Sequence, residues 1–200
     1  ISRYKEMIGI DTMFLTGTDE HGQKIQKAAD DNSISPIELC DKNSEKFREL
    51  TKTLNLSNND FIRTTEKRHI EGAKSLWNML IENDDIYLDN YEGWYSVSDE
   101  TFYNEKDLTK QSDGSFKTIT GGPVDWIEEE SYFFRLSKYS NQLLKLYDEN
   151  PNFILPKSRR NEVISFVKSG LKDLSVSRNT FNWGIKVPNN DKHVMYVWLD

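Results

Sequence analysis

The chain has 200 residues, with 26 Lys and Arg against 33 Asp and Glu for a net charge of −7, and 36% of it is apolar, enough for a folded core and too much for a disordered acidic tail. Its one cysteine, Cys40, excludes an intrachain disulfide and a multi-cysteine zinc knuckle. No stretch approaches the roughly 20 consecutive apolar residues that a membrane-spanning helix needs, so a soluble protein of a reducing compartment, the cytoplasm, is expected.

The chain opens on Ile1-Ser-Arg-Tyr-Lys, without an initiator Met, a signal core or a transit composition, and closes on the apolar run Val194 to Leu199 with no turn after it; both ends read as cuts within a longer protein. Glu6 to Gly9 reads as the last turn of a helix closed by glycine. Thr12 to Thr16, short and apolar between Gly9 and Gly17, predicts a buried strand. Gly22 to Asp31 predicts a helix. Ser35-Pro36-Ile37-Glu38 then combines an N-cap serine, a proline at the first helical position and a capping-box glutamate. Ile37, Cys40, Ser44, Phe47, Leu50 and Leu54 follow at three- and four-residue spacing, giving that helix one apolar-to-small face. Asp60 to Thr64 predicts a second strand, and Thr65 caps a helix through Glu82 with Ile70, Ala73, Trp77 and Leu80 on one side. Strand, helix, helix, strand, helix is the rhythm of a parallel sheet with crossovers.

Between Glu82 and Glu130 the texture changes to Tyr, Trp and Thr alternating with turn residues, which predicts a small antiparallel insertion. Two amphipathic helices are expected next. One runs from about Phe133 to Glu149 with Leu136, Tyr139, Leu143 and Tyr147 on a face, the other from Ser158 to about Gly170 with Val163, Phe166 and Val167 buried. Thr180 to Asp191 reads as loop, and His193 to Leu199 as a buried strand. The architecture expected is α/β, a doubly wound parallel sheet interrupted by an inserted domain. Charge is unevenly shared: Glu82 to Glu130 carries 14 acidic residues and 3 lysines, whereas Lys157 to Arg178 carries 6 basic and 2 acidic residues. A polyanionic partner would avoid the first region and tolerate the second; solvated faces of opposite sign are the plainer reading.

The chemistry concentrates in Leu15-Thr-Gly-Thr-Asp-Glu-His-Gly22-Gln-Lys. In open parallel sheets the ligand crevice lies beyond the carboxyl ends of the strands, and this run sets two carboxylates and an imidazole directly after one, between two glycines. Asp19 and Glu20 point in different directions on a tight turn, so one can face the crevice while the other caps the next helix. The alternative is that both are structural and that His21 bonds only backbone. His69 and His193 have no neighbours in sequence that complete a metal ligand set.

Gly17-Thr-Asp-Glu-His-Gly-Gln-Lys-Ile25 resembles the strand-end signature of the methionyl-tRNA synthetases, a class I aminoacyl-tRNA synthetase family. The resemblance runs along the chain in order: Ser2-Arg-Tyr-Lys, then Gly93-Trp-Tyr-Ser-Val-Ser-Asp-Glu-Thr-Phe-Tyr103, Ser131-Tyr-Phe-Phe-Arg-Leu-Ser-Lys138, Arg159-Arg-Asn-Glu-Val163, Asp173-Leu-Ser-Val-Ser-Arg178 and Tyr196-Val-Trp-Leu-Asp200. It implies the first half of a Rossmann-like catalytic domain over residues 1–81, a connective insertion over 82–192 and a return strand over 193–200. The implied reaction is ATP-dependent activation of methionine to methionyl-adenylate, with Mg2+ accompanying ATP, followed by transfer to tRNA(Met). By the same resemblance Asp19 binds the methionine ammonium, Arg178 supports the carboxylate and phosphate end, Trp198 belongs to the amino-acid pocket and His21 is an active-site neighbour. These residue types suit those tasks: an ammonium needs a fixed anion, developing phosphate charge needs a guanidinium, and a thioether suits an aromatic wall.

Two departures qualify the resemblance. Many members carry a zinc knuckle starting with Cys-x-x-Cys where this chain has Ser96-Val-Ser-Asp99, so no structural zinc is expected. The family's His-Ile-Gly-His and Lys-Met-Ser-Lys-Ser motifs, which hold ATP, would precede Ile1 and follow Asp200, so the 200 residues by themselves are not expected to catalyse. The rival readings are another class I synthetase and a non-catalytic RNA-binding or assembly module on the same fold.

Overall fold

The computed structural model describes residues 1–99 and 101–200 and, of Tyr91 and Phe102, the backbone; Glu100, within the run from Gly93 to Tyr103, lies outside the described residues. The chain forms two compact units, residues 1–77 with 178–200, and residues 78–177. Among the described residues no helix is long and apolar enough to cross a membrane.

The first unit opens with helix α1, Ser2–Met7, and Gly9 takes a φ of 78° just beyond it, the left-handed conformation the sequence asks of that glycine. Strand β1, Leu15–Thr18, pairs in parallel with β2, Asp60–Arg63. The crossover between them is helical: α2, Gln23–Asp31, then α3, Pro36–Thr53. Helix α3 begins as expected, with Glu38 N–H donating to Ser35 Oγ at 3.3 Å and the Glu38 carboxylate accepting from Ser35 N–H at 2.9 Å. Helix α4, Lys67–Glu82, follows β2 and buries Ala73 and Trp77. The closing segment adds β9, Ser177–Arg178, β10, Lys186–Val187, and β11, Asn190–Met195, in a three-stranded sheet of order β10-β11-β9.

In the second unit β3, Ile86–Ser96, and β7, Asp125–Phe134, form a long antiparallel ladder from Ile86 opposite Phe134 to Tyr95 opposite Asp125. Strand β4, Thr101–Tyr103, pairs with β3, and β8, Leu174–Ser175, pairs with the far end of β7. A small hairpin, β5 at Thr109–Lys110 and β6 at Phe116–Lys117, lies between β4 and β7. Helices α5, Ser140–Glu149, and α6, Lys157–Lys168, complete the unit.

Several expectations need correction. The segment Thr180 to Asp191, expected as loop, holds β10 at Lys186–Val187 and the start of β11 at Asn190, because these strands pair with each other. The helix expected from Phe133 starts only at Ser140, after a 3-10 turn over Leu136–Tyr139. Residues 125–134 are strand because Glu129, Ser131 and Phe133 are buried at alternate positions, a period of two that overrides the helical spacing beginning at Leu136. Strand β1 starts at Leu15 rather than Thr12, since its ladder partner begins at Asp60 and the preceding Phe14 N–H is taken by the Asn59 side chain at 2.8 Å. The last strand covers Asn190–Met195 rather than His193–Leu199, because Leu199 and Asp200 N–H both turn back to the Tyr196 carbonyl. Of the predicted buried faces, Cys40, Ser44, Ala73, Trp77, Tyr147 and Val167 are covered, but Ile37, Phe47, Leu50, Leu54 and Phe166 are exposed among the described residues.

Two carboxyls brace the second unit. Asp85 accepts from Lys138 at 2.6 Å and from the Tyr139 hydroxyl at 2.7 Å, which hold it below the usual carboxylate range. Burial alone would raise Asp173, but the hydroxyl and N–H of Ser137, at 2.6 and 3.0 Å, and the Tyr87 hydroxyl, at 2.9 Å, outweigh it and lower it. Carboxyls depressed in the folded state add stability that is complete above their unfolded values and is lost as the pH falls through the folded ones. The second unit should therefore lose thermal stability progressively below about pH 4, and Asp85→Asn should flatten that loss in melts recorded across the acid range. In the first unit, a Cβ at Gly17 would stand 1.9 Å from the Ile62 carbonyl oxygen. Gly17→Ala should therefore force the parallel strands apart and cost on the order of 2–4 kcal/mol in urea denaturation; an unchanged midpoint would show that the ladder yields freely.

Candidate active site

The loop at the carboxyl end of β1 is held by Glu20, which is 3% exposed. Its carboxylate accepts from Thr18 Oγ1 at 2.6 Å, Thr65 Oγ1 at 2.5 Å and Arg63 Nε at 2.8 and 3.1 Å. Its N–H donates to Thr64 Oγ1 at 2.9 Å, and its carbonyl accepts from Trp183 Nε1 at 2.6 Å and from Cys40 Sγ at 3.5 Å. Arg63 also reaches Asp41 at 2.7 Å; the bond to Glu20, more than any other influence, raises its pKa. Burial, helped by the neighbouring Glu20 charge, pushes the Cys40 thiol up to about 11, so this cysteine is a packing residue and not a nucleophile.

With Glu20 turned inward, Asp19 is exposed and has no side-chain partner among the described residues. Of the two carboxylates in the run, Asp19 is thus the one available to a ligand. His21 turns inward as well: Nδ1 lies 2.5 Å from the Asp200 carboxylate, and its ring meets Trp183 edge-on at 5.6 Å. His69, set aside by sequence for want of ligand neighbours, bonds the other oxygen of Asp200 through Nε2 at 2.9 Å.

The segment from Arg178 to Asp200 lies against this loop. Gly22 N–H donates to the Trp183 carbonyl at 3.2 Å, and the Gln26 side chain accepts from the N–H groups of Asn182 and Trp183 at 3.1 and 3.0 Å. Arg178 is 3% exposed, with its guanidinium carbon 3.8 Å from the centroid of the Tyr196 ring, a stacking geometry that holds the charged plane in one orientation. Trp198 is 64% exposed on the turn after β11, and His193 is fully buried within that strand. The fold therefore brings the Asp19 loop and the segment bearing Arg178 and Trp198 together through Glu20, His21 and Trp183. Sequence reasoning missed Asp200, His69 and Trp183 as contributors. Asp200 stood in the motif Tyr196 to Asp200 without an assigned task, and its two histidine partners are 179 and 131 positions away.

Among the described residues no group of three or more His, Cys, Asp or Glu is arranged to hold a metal ion. At Ser96-Val-Ser-Asp99 the residues do not fit zinc. Ser96 Oγ lies 3.0 Å from Ser98 Oγ and accepts from Asp99 N–H at 3.3 Å, while Thr118 Oγ1 lies 2.8 Å from Thr120 Oγ1 and accepts from Gly122 N–H at 3.0 Å. A Cβ on Gly122 would stand 2.7 Å from Ser98 Oγ. Each turn is closed on itself by neutral hydroxyls, which cannot supply the thiolates of a structural zinc site.

The model of the family described as tRNA synthetases class I (M) matches residues 1–200. A methionine–tRNA ligase of Rickettsia felis is 60% identical over all 200 residues, which correspond to 38% of that protein, and one of Rhizobium meliloti is 58% identical over the same span, 39% of its length. A structure of Mycobacterium tuberculosis methionyl-tRNA synthetase in complex with methionyl-adenylate superposes with a TM-score of 0.92 at 50% identity, covering 99% of this chain and 39% of that one. The chain thus spans about two fifths of the length of the curated relatives it matches. A family match along every residue, carried by a fold that agrees at this level, establishes that the chain belongs to the tRNA synthetases of class I (M).

Proposed function

We propose that the full-length protein is a methionine–tRNA ligase and that this chain supplies the methionine-recognition half of its active site. The observation that carries the reading is the division of labour at the end of β1, where Glu20 is consumed by internal bonds and Asp19 is left as an exposed anion. In the proposed reaction Asp19 pairs with the methionine α-ammonium, and Trp198 forms part of the wall around the thioether. A methionine carboxylate oxygen attacks the α-phosphorus of ATP; the new bond makes methionyl-adenylate as the bond to pyrophosphate breaks. Arg178, its plane held by Tyr196, offsets the charge on the carboxylate and phosphate end. The ribose hydroxyl at the 3′ end of tRNA(Met) then attacks the activated carbonyl, and AMP leaves. ATP enters with Mg2+, whose charge offsets that of the phosphates.

The same reading takes the unit of residues 1–77 and 178–200 as part of a Rossmann-like catalytic domain and residues 78–177 as its connective insertion, so that the boundaries expected at 81 and 192 move to 77 and 177. Support comes from the parallel β1–β2 pair with its helical crossover, and from the antiparallel character of residues 78–177. The exposure of Met13 and Leu15 in and beside β1, of Phe47 and Leu50 on α3 and of Leu54 just past its end, suits a sheet and helix layer that the rest of the full-length protein covers. The hydroxyl contacts at Ser96 and Thr118 support an insertion that folds without zinc.

Asp19→Ala in the full-length protein should lower methionine-dependent ATP–pyrophosphate exchange by roughly two orders of magnitude or more. Its circular dichroism should stay unchanged, because the side chain supports nothing else. Near-normal exchange would remove Asp19 from the site. Elemental analysis of the same purified protein should find zinc well below one equivalent, and a stoichiometric amount would overturn the zinc-free reading of the insertion.

A further inference from the structure

The two residues proposed to meet methionine directly are poorly held by their own contacts. Asp19 is exposed, and Trp198 is 64% exposed on a short turn. Their immediate neighbours are the reverse. The Asp200 side chain is 3% exposed and that of His21 is 9% exposed, and the two meet at 2.5 Å. On its other oxygen Asp200 meets His69 at 2.9 Å. One buried carboxylate thus joins three separate segments: the loop after β1, the head of α4 and the turn after β11.

We infer that Asp200, gripped by His21 and His69, is a positioning residue that sets the spacing between Asp19 and Trp198 and so the fit of the amino-acid substrate. The inference rests on the methionine-recognition reading above. Its physical basis is desolvation. A carboxylate withdrawn from water is tolerated only where donors replace its hydration, and here each oxygen faces one imidazole nitrogen. Each ring must therefore present N–H to Asp200, which fixes the orientation of both. The His21 ring is clamped on its other side by the edge-on contact with Trp183, whose indole N–H is bonded to the Glu20 carbonyl. Leu199 and Asp200 N–H, bonded to the Tyr196 carbonyl at 2.9 and 3.2 Å, carry the restraint along the turn to Trp198. Loosening the grip lets the ammonium anchor and the aromatic wall drift apart, and misplacement by about an ångström is enough to cost recognition heavily. The contact residues this clamp adjoins, Asp19 and Trp198, are the two assigned to methionine.

The test is ATP–pyrophosphate exchange by the full-length protein with methionine and ATP varied in turn. Asp200→Ala and His69→Ala should each raise the KM for methionine about tenfold or more while the KM for ATP stays within about twofold, a split that a general loss of folded enzyme does not produce. His21→Asn and His69→Gln, whose amide nitrogens stand near the positions of Nδ1 and Nε2, should keep the donors and stay within about threefold of the unaltered enzyme, whereas His21→Ala should not. A methionine KM unchanged in the alanine variants, a parallel rise in both KM values, or equal losses for His21→Asn and His21→Ala would overturn the proposal. If Asp200→Ala does not fold, the paired histidine variants decide. Should Asp19→Ala abolish exchange while the Asp200 and His69 variants keep their methionine KM, the clamp alone is wrong; should Asp19→Ala be normal, the reading of the site beneath it is wrong.

Discussion

Everything in the first unit turns on a buried carboxylate. Glu20 sits one residue beyond β1 and takes donors from Thr18 on its own strand, from Arg63 at the end of β2 and from Thr65 at the approach to α4. Removing such a group from water costs several kcal/mol unless donors of this quality replace the solvent. The loop therefore has one low-energy arrangement, and the parallel pairing, the crossover helix bearing Cys40 and the closing segment bearing Trp183 all agree with it. Turning Glu20 inward also fixes the direction of its neighbours, because adjacent side chains on a tight turn cannot share one side. The exposure of Asp19 is the other half of the burial of Glu20.

The second unit solves a different problem. Its main ladder sets Glu92 directly opposite Glu128, a like-charge pair that weakens an antiparallel sheet, and its stretch of sequence holds most of the chain's excess acid. Apolar and aromatic packing offsets this: Trp94 lies 4.6 Å from Phe116 and 5.3 Å from Trp126, and Tyr87 stacks on Phe133 at 5.6 Å. At the turns Ser96 to Asp99 and Thr118 to Gly122, hydroxyls close each turn on itself. Such contacts are individually weak, on the order of 1 kcal/mol.

How much of this was legible depended on the distance over which each signal acts. Helix α3 could be read to the residue at its start because the capping box is complete within Ser35 to Glu38. The run from Gly17 to Gly22 could be read as a strand end with chemistry because glycines and carboxylates are local marks. Which of Asp19 and Glu20 faces inward could not be read, since the answer is set by Arg63 and Thr65, more than 40 positions away. Asp200 and His69 were invisible for the same reason. The end of strand β7 is not legible locally because Phe133 and Phe134 suit either periodicity, and only the ladder with Ile86 and Tyr87 decides between them.

A site that must bind a charged, flexible amino acid faces opposing demands. Its contact residues have to be open to solvent before the ligand arrives, and an open side chain on a loop is poorly ordered. Burying Asp19 to order it would raise the cost of keeping it ionised and deny it to the ammonium proposed to bind there. Placing the rigidity one or two residues away avoids the conflict: Glu20 and His21 beside Asp19, and Asp200 beside Trp198, are buried and bonded, while the contact residues stay exposed. The ordering cost is then met when the chain folds and not when the ligand binds, so more of the contact energy remains for affinity and selectivity. In the proposed site the buried carboxylates of Glu20 and Asp200 are the parts that substrate would not touch, and the arrangement gives them a share in recognition alongside the residues that would.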